Sequence, residues 1–294
     1  SGNHDSAERL SFASRILRGT GLFLCGDLYH TLAPVILKDD DGEVAFAPLP
    51  YAEPGKVREA LSADVHTHEE AERVLSDFLL RQMGHAARKV AIAHEFVAGG
   101  SASDSERPLS IGGTDLISAD VFAPYNYTAL GHLHGPQKAG GKENVRYSGS
   151  LLKYSFSEAT QKKGVIVGEI DGAGQVKTTF ISLSARHDVR VIKGFFDDLI
   201  KGESEDFLMA ELLDEGPVID AMARLRQKYP RMMTIQSHRR MNSGSGERSF
   251  DLMKKIDPLD MFRVFYKEFQ DKEFTEEEED YMKELWEDLR KEDD

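Results

Sequence analysis

The stretch YTALGHLH, residues 127–134, runs apolar and then ends in Gly-His-Leu-His. Its composition predicts a strand. On a strand, His132 and His134 would point the same way with Cα atoms about 6.6 Å apart. That separation is awkward for one ion but natural for two ions about 3.5–4 Å apart. Gly131 removes a side chain next to that position. The plainer reading, an alternating strand end that binds nothing, stands beside it.

Two further stretches join this one. AHEF, residues 93–96, closes the apolar run KVAIAHEFV, and GNHD, residues 2–5, precedes a helical pattern. Each sits where an expected strand or turn hands over to a loop, and layered α/β folds gather their binding sites there. Alone, each has an ordinary alternative: a turn, a core histidine, a strand end. Together, Asn3, His94, His132 and His134 supply imidazole and amide donors of the kind that suit manganese, zinc, iron or nickel. A Gly-Asn-His turn at a helix start also favours an anion such as phosphate.

Outward from these motifs, residues 6–18 have helical spacing, stopped by Gly19 and Gly21, and LFLC (22–25) reads as a short buried strand. Residues 31–51 read as a hairpin around an Asp-Gly turn. THEEAERVLSDFLLRQM (67–83) is a helix. Thr67 and Glu70 match a capping box, and Val74, Leu75, Phe78, Leu79 and Met83 form one apolar stripe. Residues 98–114 are a Gly/Ser-rich loop, and 145–183 supply three more strands. From 186 to 238 strands and helices alternate in a small unit, with Pro217 expected at a helix start. RRMNSGSGERS (239–249) is a linker, and helices follow, ending in an acidic one that carries Trp286. The expectation is therefore an α/β body over 1–185, a small α/β appendage over 186–238, and a linker with C-terminal helices over 239–294.

The chain has 294 residues and a net charge of −14, which argues against nucleic acid as a partner until its distribution is considered. Residues 271–294 alone hold 13 acidic and 4 basic residues. Residues 136–163 are locally basic and could track phosphates, or could be an ordinary solvated edge. No apolar run reaches the roughly 18–20 residues that span a bilayer. Cys25 is the single cysteine, so no internal disulfide can form. No signal-peptide pattern opens the sequence, and a reducing cytoplasm fits best.

The order GNHD…H…GHxH resembles the calcineurin-like metallophosphoesterase superfamily. The flanks SGNHDSAERLSFAS, ERPLSIGG, ALGHLHGPQ, RYSGSLLKYSFSE and DEGPVIDAMARLRQKYP narrow the resemblance to the SbcD family of nuclease subunits. That resemblance spans essentially the whole chain. It implies a metallophosphoesterase sandwich of mixed sheets flanked by helices, with a capping domain at 186–238. It also implies hydrolysis of DNA phosphodiester bonds with two divalent metal ions, most often Mn2+. The implied partners are DNA, an SbcC-type coiled-coil ATPase gripped by the C-terminal helices, and a second copy of the chain. Carried over by position, Asn3, His94 and His132 would hold one ion and His134 the other. His4 would serve the leaving oxygen as acid, with Asp5 orienting its ring.

One departure matters. The family places Asp-x-His and Gly-Asp-x-x-Asp motifs ahead of GNHD, and the sequence given starts after them. Asp64-Val65-His66 and Gly26-Asp27-Leu28-Tyr29-His30 imitate these motifs in the wrong order or with the wrong last residue. The expectation is a chain lacking the first strands and the bridging carboxylate, inactive by itself, with an open apolar sheet. Arg107, Lys138, Arg146 and Arg224 are candidate DNA contacts, with solvated surface positions as the alternative. Tyr147, Ser148 and Gly149 either close over the metals or simply pack. His66 and His68 read as surface histidines at a helix cap. A phosphoesterase for a small phosphodiester or phosphomonoester, and an inert scaffold for the ATPase, remain the competing functions.

Overall fold

The computed structural model describes residues 1–106, 116–214 and 216–237, together with Tyr266, Thr275, Glu278, Glu279, Tyr281 and Met282. Arg107 and nearly all of the linker and C-terminal helices expected over 239–294 lie outside the described residues. The architecture is α/β, with mixed sheets flanked by helices.

The N-terminal stretch forms two short helices, α1 (Ala7–Leu10) and α2 (Ser14–Arg18), not the single helix expected over 6–18. The reason is local. The Ser11 hydroxyl accepts the Asp27 N–H at 2.9 Å, and Ala13 turns through a left-handed φ of 60°. LFLC is not a buried strand either. It pairs with no strand among the described residues, and Leu22 and Phe23 are exposed.

β1 (Val35–Asp39) and β2 (Gly42–Leu49) form the expected antiparallel hairpin. Helix α3 (Pro54–Leu61) carries proline in its first turn and was not anticipated. α4 (His68–Gln82) has the full capping box: Glu70 N–H donates to the Thr67 hydroxyl, and the Thr67 N–H donates to the Glu70 carboxylate. β3 (Arg88–His94), the two-residue strands β4 (Phe96–Val97) and β5 (Leu116–Ile117), and β6 (Tyr127–Gly131) follow. β7 (Gln137–Ala139) and β8 (Lys142–Tyr147) form a second hairpin. The main sheet has the order β1-β2-β3-β6-β8-β7, with four parallel central strands and an antiparallel hairpin strand on each edge.

Small residues decide how this sheet is covered. Ala45, Ala47, Ala91 and Ala93 belong to the same buried cluster as Ala71, Leu75, Leu79 and Met83 of the α4 segment. With no bulky side chains on those strands, the helix can approach closely, and each buried leucine contributes about 1.5–3 kcal/mol. The opposite face is partly open. Ile92 lies on β3 between two strands yet is 49% exposed. It lines a mostly apolar groove with Phe23, Leu24, Pro48 and Ala129, and His94 lines the same groove.

α4 also buries Glu72, at 2% exposure, with its Oε1 unpartnered among the described residues. Burial pushes this carboxyl up to about 8. The unfolded chain gives up that proton near the ordinary carboxylate pKa, whereas the folded chain keeps it to about 8. Stability therefore falls as pH rises between those two values, at up to about 1.4 kcal/mol per unit. Glu72→Gln cannot ionise, so it flattens this slope. Urea midpoints at pH 5, 6, 7 and 8 measure it, and parallel slopes in the two proteins would refute the assignment.

β9 (Gly164–Ile170) and β10 (Val176–Ser182) make a separate antiparallel pair. A second unit follows: β11 (Val189–Gly194), α5 (Phe196–Leu199), β12 (Phe207–Leu212), α6 (Ala221–Arg226) and β13 (Met232–Ser237). Its three strands are parallel in the order β11-β12-β13. Its own core contains Phe196, Leu208, Leu212, Leu225, Tyr229 and Met232. α6 does not start at Pro217 as expected. The chain first turns through Asp220 at φ 52° and only then coils.

Candidate metal centre

β3 and β6 are parallel neighbours in register, with His94 opposite Gly131. Both strands therefore end at one level, where His94 and the residue after Gly131 meet. The chain start reaches the same place: the Ser1 amine donates to the Cys25 carbonyl at 2.7 Å, and the Tyr51 N–H donates to the Ser1 carbonyl at 3.0 Å. This fixes the GNHD turn beside His94. Asn3 Oδ1 lies 3.0 Å from His94 Nε2.

Two glycines make room for the His94 ring. A Cβ on Gly2 would come within 2.8 Å of His94 Cε1, and one on Gly131 within 2.8 Å of His94 Nδ1. Gly131 thus clears space for a ligand-type ring as well as for anything bound beyond it. The His132 ring stands edge-on to that of His94, with centroids 5.4 Å apart, and also faces Phe96. Burial pushes His94 down to about 4, assisted by the neighbouring His132. Burial also lowers His132. Both shifts favour the neutral ring, the state in which imidazole offers a lone pair to a cation.

The histidine pair does not lie on a strand. β6 stops at Gly131, and His132 adopts φ 104°, a conformation rare for any residue but glycine. The expected same-side projection therefore fails. His132 turns toward His94, while His134 turns into a polar cluster. Its Nδ1 lies 2.8 Å from Ser105 Oγ and 3.1 Å from Glu158 Oε1, and its N–H donates to Glu106 Oε1 at 2.6 Å. Glu158 is fully buried. Burial acts to raise its pKa, but Lys163, Ser105 and His134 outweigh that and hold the carboxyl at about 2.

His4 and Asp5 are exposed. Asp5 Oδ2 accepts the Gly2 N–H at 2.7 Å and closes its own turn, and no described hydrogen bond joins it to His4. The two imitation motifs are occupied elsewhere: Asp27 pairs with His30, and Asp64 lies 3.1 Å from His66. Lys138 and Arg146 both pair with Glu143, and Arg224 stacks over the Phe196 ring at 4.3 Å. Tyr147 is fully buried. Its hydroxyl donates to the Glu95 carbonyl at 2.7 Å and accepts the Val97 N–H at 2.8 Å.

Whether these donors fit a divalent cation can be tested on their chemistry. Two ligands about 2.1 Å from an ion and at right angles around it stand about 3.0 Å apart, which is the Asn3–His94 separation. The donors are neutral, however. Among the described residues no group of three or more His, Cys, Asp or Glu side chains is placed to hold a metal. The arrangement suits one side of a cation site and lacks a carboxylate. Ser105, Glu106, Glu158 and Lys163 were not legible as site residues, because nothing in their spacing ties them to His134.

No helix among the described residues is long and apolar enough to cross a membrane. Residues 185–269 match the family described as Type 5 capsule protein repressor C-terminal domain, SbcD_C. That match takes in the whole parallel three-stranded unit, so this part of the chain is SbcD-like.

Proposed function

We propose that this chain is the nuclease subunit of an SbcC–SbcD type complex, a calcineurin-like metallophosphoesterase that hydrolyses DNA phosphodiester bonds as an exonuclease on duplexes and an endonuclease on single strands or hairpins. The observation that carries the reading is the meeting of Asn3, His94 and His132 at the ends of two parallel strands, on a chain whose residues 185–269 match the SbcD C-terminal family. Asn3, His94 and His132 would hold one divalent ion, manganese by preference, and His134 a second. When bound, such ions polarise the phosphate and lower the pKa of water.

The chain's own residues do the rest. His94 and His132 are kept uncharged by burial, and His94 Nε2, which donates to Asn3 Oδ1 without metal, offers its lone pair to a cation once the ring proton moves to Nδ1. His4, exposed beside the site, gives a proton to the departing 3′ or 5′ oxygen. Asp5 holds the turn that carries His4. Carboxylate ligands, which this reading requires, are not among the gathered donors, and the face around Ile92 is open. The 294 residues alone are then inactive. The parallel unit is the capping domain, the C-terminal helices bind the coiled-coil ATPase, and the nuclease works as a homodimer.

In a form carrying those carboxylates, His4→Ala abolishes cleavage of linear duplex DNA in Mn2+ while Mn2+ still binds. Undiminished cleavage would overturn the assignment, and preferential turnover of a chromogenic phosphodiester would point to a small-molecule phosphoesterase. The lack of a carboxylate among the gathered donors favours one second reading, a scaffold that binds the ATPase and hydrolyses nothing. Activity of the completed form rules that out.

A further inference from the structure

We propose that Glu158 is a positioning residue that fixes the tautomer of His134, so that Nδ1 carries the proton and Nε2 presents its lone pair to a bound cation. The second half of this statement rests on reading His134 as a metal ligand; the first half stands on geometry alone.

His134 is held at three points. Its backbone carbonyl accepts from the Ser150 N–H at 3.1 Å and from Lys163 Nζ at 2.8 Å. Its N–H donates to Glu106 at 2.6 Å. A Cβ at Gly149 would come within 2.6 Å of the same carbonyl, so glycine is needed for the Ser148–Ser150 segment to pass this close. Among the described residues the ring's Nδ1 faces Ser105 Oγ, at 2.8 Å, and Glu158 Oε1, at 3.1 Å. Nε2 has no hydrogen-bond partner among the described residues.

The direction of these bonds follows from what each group can do. Glu158 Oε2 lies 2.6 Å from Lys163 Nζ, and both side chains are at most 5% exposed. An ammonium only donates, so the ionised carboxylate only accepts. Ser105 Oγ is hydrogen-bonded to Glu158 Oε1, and between a hydroxyl and a carboxylate oxygen the hydroxyl must supply the hydrogen. Having spent its proton there, Ser105 can only accept from His134. Both partners of Nδ1 are then acceptors, and Nδ1 must be protonated. Histidine ligands of metals generally donate their second ring N–H to a carboxylate in this way, and loss of such a partner costs about 10–100-fold in metal affinity.

The same logic predicts the effect of a near-isosteric change. In Glu158→Gln, Lys163 still has only donors to offer, so it draws the amide oxygen to itself. The amide NH2 then faces Ser105 and His134, and Nδ1 must give up its proton to accept from it. The tautomer flips, and Nε2–H replaces the lone pair.

Long-range 1H–15N correlation spectra of 15N-histidine protein, taken without metal, read this directly. The expected results are Nδ1–H for His134 in the wild type and Nε2–H in Glu158→Gln, with Mn2+ affinity about 10–100-fold lower in the variant by electron paramagnetic resonance titration. Nε2–H in the wild type, or an unchanged tautomer in the variant, overturns the proposal. A flip that leaves Mn2+ affinity unchanged overturns the role of His134 as a ligand while leaving the tautomer assignment intact. If Glu158→Gln does not fold, the E158Q/K163M double variant replaces the ion pair by a neutral pair. Both tautomers are then expected, and Nδ1–H alone contradicts the proposal.

Discussion

His94→Ala lowers Mn2+ affinity by more than about 100-fold, beyond the loss that follows from removing an outer-sphere partner. His94 is where three separate devices converge. β3 delivers it to the strand end, the GNHD turn sets Asn3 Oδ1 3.0 Å from its Nε2, and Gly2 and Gly131 leave no room for a side chain on either side of its ring. Alanine removes the imidazole and leaves the amide of Asn3 and the ring of His132 with no donor between them. Gly131→Ala is the milder version. Its Cβ would sit 2.8 Å from His94 Nδ1, so the ring must tilt away from Asn3 and affinity falls with the histidine still present. The measurement is free Mn2+ by electron paramagnetic resonance, with circular dichroism to show that both variants fold. Equal affinity in wild type and His94→Ala would remove His94 from the ligand set.

Tyr147→Phe destabilises the fold by about 2–6 kcal/mol, since each of two buried backbone groups loses its partner at about 1–3 kcal/mol. The hydroxyl bridges the Glu95 carbonyl and the Val97 N–H, in the segment that immediately follows His94. No shift of backbone is available to re-pair them, because Tyr147 and Val97 are both fully buried. This also settles which of two readings of the Tyr147-Ser148-Gly149 segment the substitution supports. A packing role predicts a large loss in urea stability with Mn2+ affinity little changed once the protein is folded. A role in closing over bound ions predicts the reverse.

Much of the fold is visible in the sequence where one local rule acts alone. The α4 capping box needs only Thr67 and Glu70 at the correct spacing, and the hairpins need only a turn between two strand-forming runs. The rule fails where a distant group intervenes. Ser11 is drawn to Asp27 and breaks the N-terminal helix, an interaction across 16 residues that no helical period records. Glu72 and Ser76 share the buried side of α4 with Leu75 and Leu79, so the apolar stripe alone misplaces the helix face. Likewise Asn3, His94 and His132 are recognisable as donors from their types and strand-end positions. The geometry of His132 is not, because its φ of 104° follows from how β6 ends rather than from its neighbours in sequence. Glu158 and Lys163 are least legible: their ion pair acts on a histidine 24 and 29 residues away.

The central claim is that Asn3 and His94 share a divalent cation. Crystals soaked in MnCl2 and measured at a wavelength where manganese scatters anomalously test it most directly. The expected result is an anomalous peak bonded to both Asn3 Oδ1 and His94 Nε2, with the His132 ring turned toward it. Anomalous peaks only elsewhere, with the 3.0 Å contact between Asn3 and His94 intact at saturating manganese, would contradict it.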